Sequence, residues 1–323
     1  MKIKCDPSIF HSNTQSDFFF SCMSAHKESH SLDILNIEEL LEHFKTNIAL
    51  CEKLRRLTVL SAQRNYKFTI NVGYKLKKEG IVDVTLLNQI MSRKAVIIIE
   101  NEHSDSYFLD AILHAKGKTN ISSQKNISWE VRGPGGCGEI PKSIESEINK
   151  SQGVVRIIVI HDSDRIYPGQ ELAPAQLKII QKAKTYNIYC HTLLKREIEN
   201  YIPDVIIENL DVTRKEMVSY LKTLNPHQRD HYDYKFGFKK KGGFKKKDDE
   251  SFNGLFESMS DDAYEHLKNG FGKDIADAVY NNHQSISLDD FSDRCGNIRA
   301  EFDSICEAIE KILLMTTKMT FLL

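Results

Sequence analysis

The sequence predicts an α/β protein built on a four-stranded parallel sheet flanked by helices. An N-terminal extension precedes the sheet and a mostly helical region follows it. Three observations lead there. Between residues 94 and 203, short apolar runs alternate with stretches of helical periodicity. Each connection holds a single helix, which implies parallel strands joined by right-handed crossovers. The chain has 323 residues, 41% of them hydrophobic, enough for two domains or for one domain with appendages.

Residues 1–90 carry the weakest pattern and read as an N-terminal α/β extension, a packing or partner-docking segment. "SLDILNIEELLEHFKTNIALCEKLRRL" has apolar residues at helical spacing, with Ser31 or Asp33 as its cap. "NYKFTINVGYKL" reads as a strand and "VTLLNQIMSR" as a short helix. Residues 91–205 form the central domain. "KAVIIIE" is a continuous apolar run, as expected of a strand covered on both faces. "SDSYFLDAILHAKG" follows as a helix with Phe108, Leu109, Ile112 and Leu113 on one face. "NISWEVRG" alternates and reads as the second strand. "GPGGCGEI" is a glycine-rich turn into the helix "IPKSIESEINKS". "VVRIIVI" is the third strand, and "APAQLKIIQKAKTYN" is a helix with proline in its first turn. "IYCHTLL" is the fourth strand, and "KREIENYIP" is a short helix stopped by Pro203. Residues 206–323 read as helices joined by loops, among them "VTRKEMVSYLKTL", "FNGLFESMSDDAYEHLKNG", "KDIADAVYNN" and "IRAEFDSICEAIEKILLMTTKM". The lysine-rich stretch 235–247 reads as a loop, and no internal repeat is visible.

Composition narrows the chemistry. The formal net charge is −1, so any contact with nucleic acid has to come from local basic patches. Seven scattered cysteines without a CxxC pair read as reduced thiols of a cytoplasmic protein, with no zinc site. No HExxH and no GxxxxGK[ST] occurs, so a zinc-protease site and a phosphate-binding ATPase loop are both excluded. No run approaches the ~18 apolar residues of a membrane span, and "SIFHSNTQSDFFFSCM" is too polar and broken for a signal peptide.

In an open α/β sheet, working residues sit at the carboxyl ends of the strands. Glu100 ends the first strand, Asp162 and Asp164 follow the third, and Glu197 and Glu199 lie just beyond the fourth. All five acids fall on one edge. Clustered carboxylates resist ionisation unless a cation joins them, and hard oxygen ligands favour Mg²⁺ or Mn²⁺. Two such ions ~4 Å apart activate a water and stabilise the leaving oxygen of a phosphodiester. Taken singly, Asp164 as a turn residue and Glu100 as a solvated strand end are ordinary readings. "GPGGCGEI" is open to two: a backbone nest for phosphate, or a flexible strand-to-helix turn. Cys137 within it reads as a small filler, because no histidine is placed near it.

"VIIIENEHSDSYFL", "IIVIHDSD" and "LLKREIENYIP", in that order, resemble the Toprim domain over residues 91–203. Within that group the chain is most similar to the branch found in overcoming-lysogenisation-defect (OLD) nucleases and related phage-defence effectors. The resemblance implies a glutamate after the first strand (Glu100), a DxD after the third (Asp162, Asp164) and further acids after the fourth (Glu197, Glu199), all holding divalent metal. Asn101 stands where many Toprim domains have glycine. The acid usual four residues after the glutamate is displaced to Asp105, and Glu102 is a rival for the glutamate itself. OLD-type enzymes also use a lysine after the acidic cluster, near the scissile phosphate, and Lys235 in "YDYKFGF" is the candidate.

The resemblance thus implies a Mg²⁺- or Mn²⁺-dependent nuclease acting on DNA or RNA in antiviral defence. Because the chain lacks an ATPase motif, a separate ATPase or sensor partner is expected, and a homodimer is compatible with it. Topoisomerase and primase readings fit poorly, since the chain is short for the first and has no cysteine pairs for the second. The alternative is a non-catalytic Toprim module that binds metal and nucleic acid as a partner subunit. Seven lysines fall between Lys235 and Lys247, interleaved with Tyr234, Phe236, Phe238 and Phe244. Lysines neutralise phosphates and aromatic faces stack on unpaired bases. Lys239, Lys240, Lys241, Lys245, Lys246 and Lys247 are therefore the candidate nucleic-acid contacts, against the plainer reading of a solubilising loop.

Overall fold

Four parallel strands of the central domain pair in the order β6-β5-β7-β8, with β5 Ala95–Ile98, β6 Trp129–Arg132, β7 Ile157–His161 and β8 Tyr189–Thr192. The computed structural model describes residues 1–27, 30–32, 37–62, 68–76, 78–292 and 297–313. Strand β5 is buried along its whole length because it lies inside the sheet with helices on both faces. Its residues divide between two cores by the alternation of a strand. Ala95, Ile97 and Ile99, with Ile158 and Ile160 of β7, face the helix Ser104–Ala115. Val96 and Ile98, with Ile157 and Val159, face the helices Ile140–Lys150 and Pro174–Thr185. The chain leaves β5, pairs β6 on one side, then crosses back to place β7 on the other. The crevice outside the carboxyl ends of β5 and β7 is therefore a topological switch point, where open α/β sheets bind their ligands.

Residues 1–90 hold more order than their sequence discloses. They contain a second four-stranded parallel sheet, β2-β1-β3-β4, made of β1 Lys2–Cys5, β2 Ser31–Leu32, β3 Thr69–Gly73 and β4 Ile81–Asp83. It has its own core, which includes Ile3, Phe19, Phe20, Leu54 and Val72. The expected long helix is instead two, Ile37–His43 and Ile48–Ala62. Ser31 is a strand residue rather than a cap, and Asp33 lies outside the described residues. The strand order of the first sheet repeats in the second, a likeness of topology that leaves no trace in the sequence.

The C-terminal helices complete the core on one face of the central sheet. Phe302, Ile305 and Ile309 of the helix Ile298–Leu313 are buried in the same cluster as Ile97 and Ile160. Buried Glu301 ties this helix to the end of β8. It accepts from Tyr201 Oη (2.8 Å) and the Leu194 amide (2.9 Å), and it pairs with His191 Nε2 (2.8 Å). No helix among the described residues is long and apolar enough to cross a membrane.

Residues 235–247 contain a short antiparallel hairpin rather than an irregular loop, with β9 Lys239–Lys240 and β10 Gly243–Phe244. Two of its interleaved aromatics are unavailable for stacking on bases. Tyr234 (0% exposed) and Phe238 (2%) belong to the core, where apolar area is worth more than it is in solvent. Phe236 and Phe244 remain exposed, with Lys273 and Lys268 over their rings at 5.5 Å.

Candidate metal centre

Each acid is placed by the turn that follows its strand. After β5, the Glu100 carbonyl accepts from the amides of Gly135 (3.0 Å) and Gly136 (3.1 Å). These amides of the glycine turn are committed to the strand end, which favours the turn reading over a phosphate nest. Gly133 has to be glycine for this docking, since a Cβ there would lie 2.0 Å from the Glu102 amide nitrogen. On the other side Asp105 Oδ2 accepts from the amides of Glu100 (3.1 Å) and Asn101 (3.0 Å). The displaced acid thus caps the turn into its helix and brings a further negative charge beside Glu100. Glu102 is exposed and outside the cluster.

After β7, the backbone of Asp164 enters the left-handed region at φ 53°, which aspartate tolerates better than most residues. The amides of Ser163 and Asp164 donate to the Arg196 carbonyl (3.1 and 3.0 Å), and Ser163 Oγ donates to the Lys195 carbonyl (2.8 Å). These bonds lock the loop after β7 against the loop after β8. Glu197 and Glu199 are thereby carried to the Asp162–Asp164 pair. A reciprocal cap between Glu197 and Asn200 starts the 3₁₀ turn Ile198–Tyr201. Asn200 Nδ2 in turn donates to the carbonyls of Arg229 and Tyr232, both 2.9 Å, which fastens the acidic segment to the stretch that delivers Lys235.

The result is convergence. The Asp162 amide donates to Glu100 Oε1 (3.2 Å). One carboxylate oxygen each of Glu100 and Asp164, together with Cys137 Sγ, lie within 4.8 Å of one another. Lys235 Nζ pairs with Glu197 Oε2 (2.9 Å) and Glu199 Oε1 (3.3 Å). Arg196 bridges Glu197 (3.1 Å) and Asp233 (2.8 Å). Buried Gln176 donates its amide to Asp164 Oδ2.

The charges fall into two groups. Burial works against ionising Glu197, but Arg196 and Lys235 together hold its carboxyl below the usual range. Burial likewise opposes a charge on Lys235, yet Glu199 and Glu197 overrule it and keep the ammonium protonated. That half is internally neutralised. The other half is not. Burial, then Asp164 and Asp105, push Glu100 up to about 8. Burial, then Glu100, Asp105, Glu199 and Glu197, push Asp162 well above the carboxylate range. Asp164 sits at the exposed rim, where partial loss of solvent and Glu197 raise its carboxyl despite Arg196, Lys235 and Gln176. Glu199 rises to about 7, chiefly through burial. Among the described residues neither Glu100 nor Asp164 makes an ion pair, and Glu199 Oε2 is buried with no hydrogen-bond partner. Uncompensated oxygens of this kind fit a hard divalent cation.

Glu100 and Asp164 thus come together with Cys137, and Glu197 and Glu199 with Lys235, while Asp162 reaches Glu100 through its backbone amide and its carboxylate is not part of the Glu100–Cys137–Asp164 group. Lys235 occupies much of the Glu197–Glu199 side, which the resemblance implied would hold divalent metal. Of the hairpin lysines, Lys239, Lys240, Lys241 and Lys246 are exposed. Lys245 is engaged by Ser251 (2.9 Å), and Lys247 by the Met259 carbonyl and Asp261 (both 2.6 Å). Sequence reasoning missed Gln176, Arg196 and Asp233, which carry no local signal. It also undervalued Cys137, although the rule that strand ends bear working residues covers the turn after β6 as well. Compared with protein-family models, curated proteins and solved structures, the chain has no match.

Proposed function

We propose that this chain is a divalent-metal-dependent nuclease of the Toprim kind, OLD-like in its acidic pattern, that hydrolyses phosphodiesters of DNA or RNA. The observation that supports it most is the uncompensated half of the acid cluster at the switch point between β5 and β7. Glu100, Asp162 and Asp164 would hold the cation, with the free oxygen of Glu199 close by. A bound Mg²⁺ or Mn²⁺ supplies Lewis acidity and an acidified water. Lys235 and Arg196 lie on the Glu197 side, where they could stabilise charge developing on a phosphate by giving up part of their pairing with Glu197, Glu199 and Asp233. The buried surroundings strengthen every one of these interactions over its value in water. The exposed lysines of the hairpin offer contacts along a nucleic-acid backbone. A separate ATPase or sensor protein and a cytoplasmic antiviral role belong to the same proposal.

The test is direct. Purified protein is given supercoiled plasmid, single-stranded DNA or total RNA, with Mg²⁺, Mn²⁺ or EDTA. We expect metal-dependent cutting of at least one substrate, lost in Glu100→Gln and in Asp162→Asn. Cutting by both variants at the wild-type rate would reject the site. Mn²⁺ and nucleic-acid binding without cutting would favour the non-catalytic module. Full cutting by the lone chain would count against a partner that gates it.

A further inference from the structure

We infer that Cys137 is a further protein ligand of the proposed cation beside Glu100 and Asp164, making the seat a mixed carboxylate–thiolate one that takes borderline cations of the zinc and cobalt class more tightly than Mg²⁺. The inference deepens the proposed function and rests on a cation being bound there. Three ligand atoms about 2.0–2.3 Å from one ion in a tetrahedral site stand roughly 3.3–3.8 Å from each other. The ligand atoms of Glu100, Cys137 and Asp164 lie within 4.8 Å of one another, so side-chain rotations that draw them together by about 1 Å would bring all three onto one ion. The turn that carries Cys137 is not free to drift, because the Gly135 and Gly136 amides are bonded to the Glu100 carbonyl.

A second observation points to a missing ligand independently of the thiol. Gln176 is 1% exposed, its Nε2 lies on Asp164, and its Oε1 is buried without a hydrogen-bond partner. Glu199, 2% exposed, also keeps an unpartnered oxygen and lies close enough to Asp162 to raise it. Buried polar atoms normally find partners, and an ion with its waters beside Asp164 would supply them. Oxygen donors alone suit Mg²⁺, whereas a thiolate added to them shifts preference toward zinc-class ions, which also bind more tightly by the general order of the divalent metals. Zn²⁺ at this seat then competes with Mg²⁺.

The experiment uses the full chain stripped with EDTA and titrated with Co²⁺. Wild type is expected to show near-ultraviolet sulfur-to-cobalt charge-transfer absorption that saturates at one ion per chain and is displaced by Zn²⁺. In Cys137→Ser the band is lost and Co²⁺ affinity falls at least about tenfold, while Mn²⁺ affinity changes less. X-ray absorption on Zn²⁺-loaded wild type gives a reading independent of any variant, with one sulfur expected at about 2.3 Å. Absence of the band and of that sulfur in wild type overturns the inference, as does a band that survives in Cys137→Ser. The two readings separate cleanly. Metal-dependent cutting without a thiolate band defeats only the cysteine ligand, and a thiolate band without cutting defeats only the nuclease.

Discussion

Replacing Glu100 with glutamine should stabilise the metal-free protein. The ordinary ionisation of a glutamate lies at 4.5, and in the folded chain burial, Asp164 and Asp105 raise that of Glu100 to about 8. At pH 7 the unfolded chain has lost this proton and the folded chain holds it. Folding must therefore take up a proton, and at about 1.4 kcal/mol per tenfold change this costs about 3 kcal/mol. The sign follows from the direction of the shift. Stability is full below 4.5 and declines as pH rises from there to about 8. Glutamine retains an oxygen to accept from the Asp162 amide, a 3.2 Å bond in wild type, and it cannot ionise. The assay is urea unfolding in EDTA at pH 5 and pH 7. Glu100→Gln should be more stable than wild type at pH 7 by about 1–3 kcal/mol, with the gap shrinking below about 1 kcal/mol at pH 5. Excess Mn²⁺ should reverse the order, because only wild type gains binding energy from it. A variant less stable than wild type at pH 7 in EDTA, or a gap indifferent to pH, would refute the reasoning.

Two further outcomes follow from the same electrostatics. Lys235→Met strips the ammonium from buried Glu197 and Glu199 and should lower stability by about 3 kcal/mol. Adding Glu199→Gln should restore at least about 1 kcal/mol, a coupling that a double-mutant cycle measures and that strict additivity would disprove. At the hairpin, changing exposed Lys239, Lys240 and Lys241 to glutamine should flatten the log–log salt dependence of nucleic-acid binding by about 2 to 3 with little change in melting. Lys247→Gln should instead destabilise the fold, since Lys247 bonds the Met259 carbonyl and pairs with Asp261. Equal effects of the two changes on binding and on melting would erase that distinction.

What the sequence disclosed, and what it hid, divides along physical lines. The central sheet was legible because β5 and β7 are buried on both faces and so read as unbroken apolar runs. The acids were legible because strand ends are fixed by topology. Of the first sheet, β3 was legible in "NYKFTINVGYKL", but β2 has two residues and β4 three, too short for any periodicity to register. Ser31 resembled a helix cap because serine suits both caps and strand edges. Tyr234 and Phe238 looked like stacking platforms because interleaving with lysine says nothing about which way a ring points. Gln176 was invisible as a partner of Asp164, because a contact across a crossover leaves no spacing to read, whereas Cys137 stood in a strand-end turn and was passed over for want of a neighbouring histidine.

The most direct test of the central idea is anomalous diffraction from crystals of the protein grown with Mn²⁺. A peak bonded at roughly 2.0–2.6 Å to oxygens of Glu100 and of Asp162 or Asp164 is expected. Manganese bound elsewhere, with these carboxylates left without an ion at saturating metal, would contradict it.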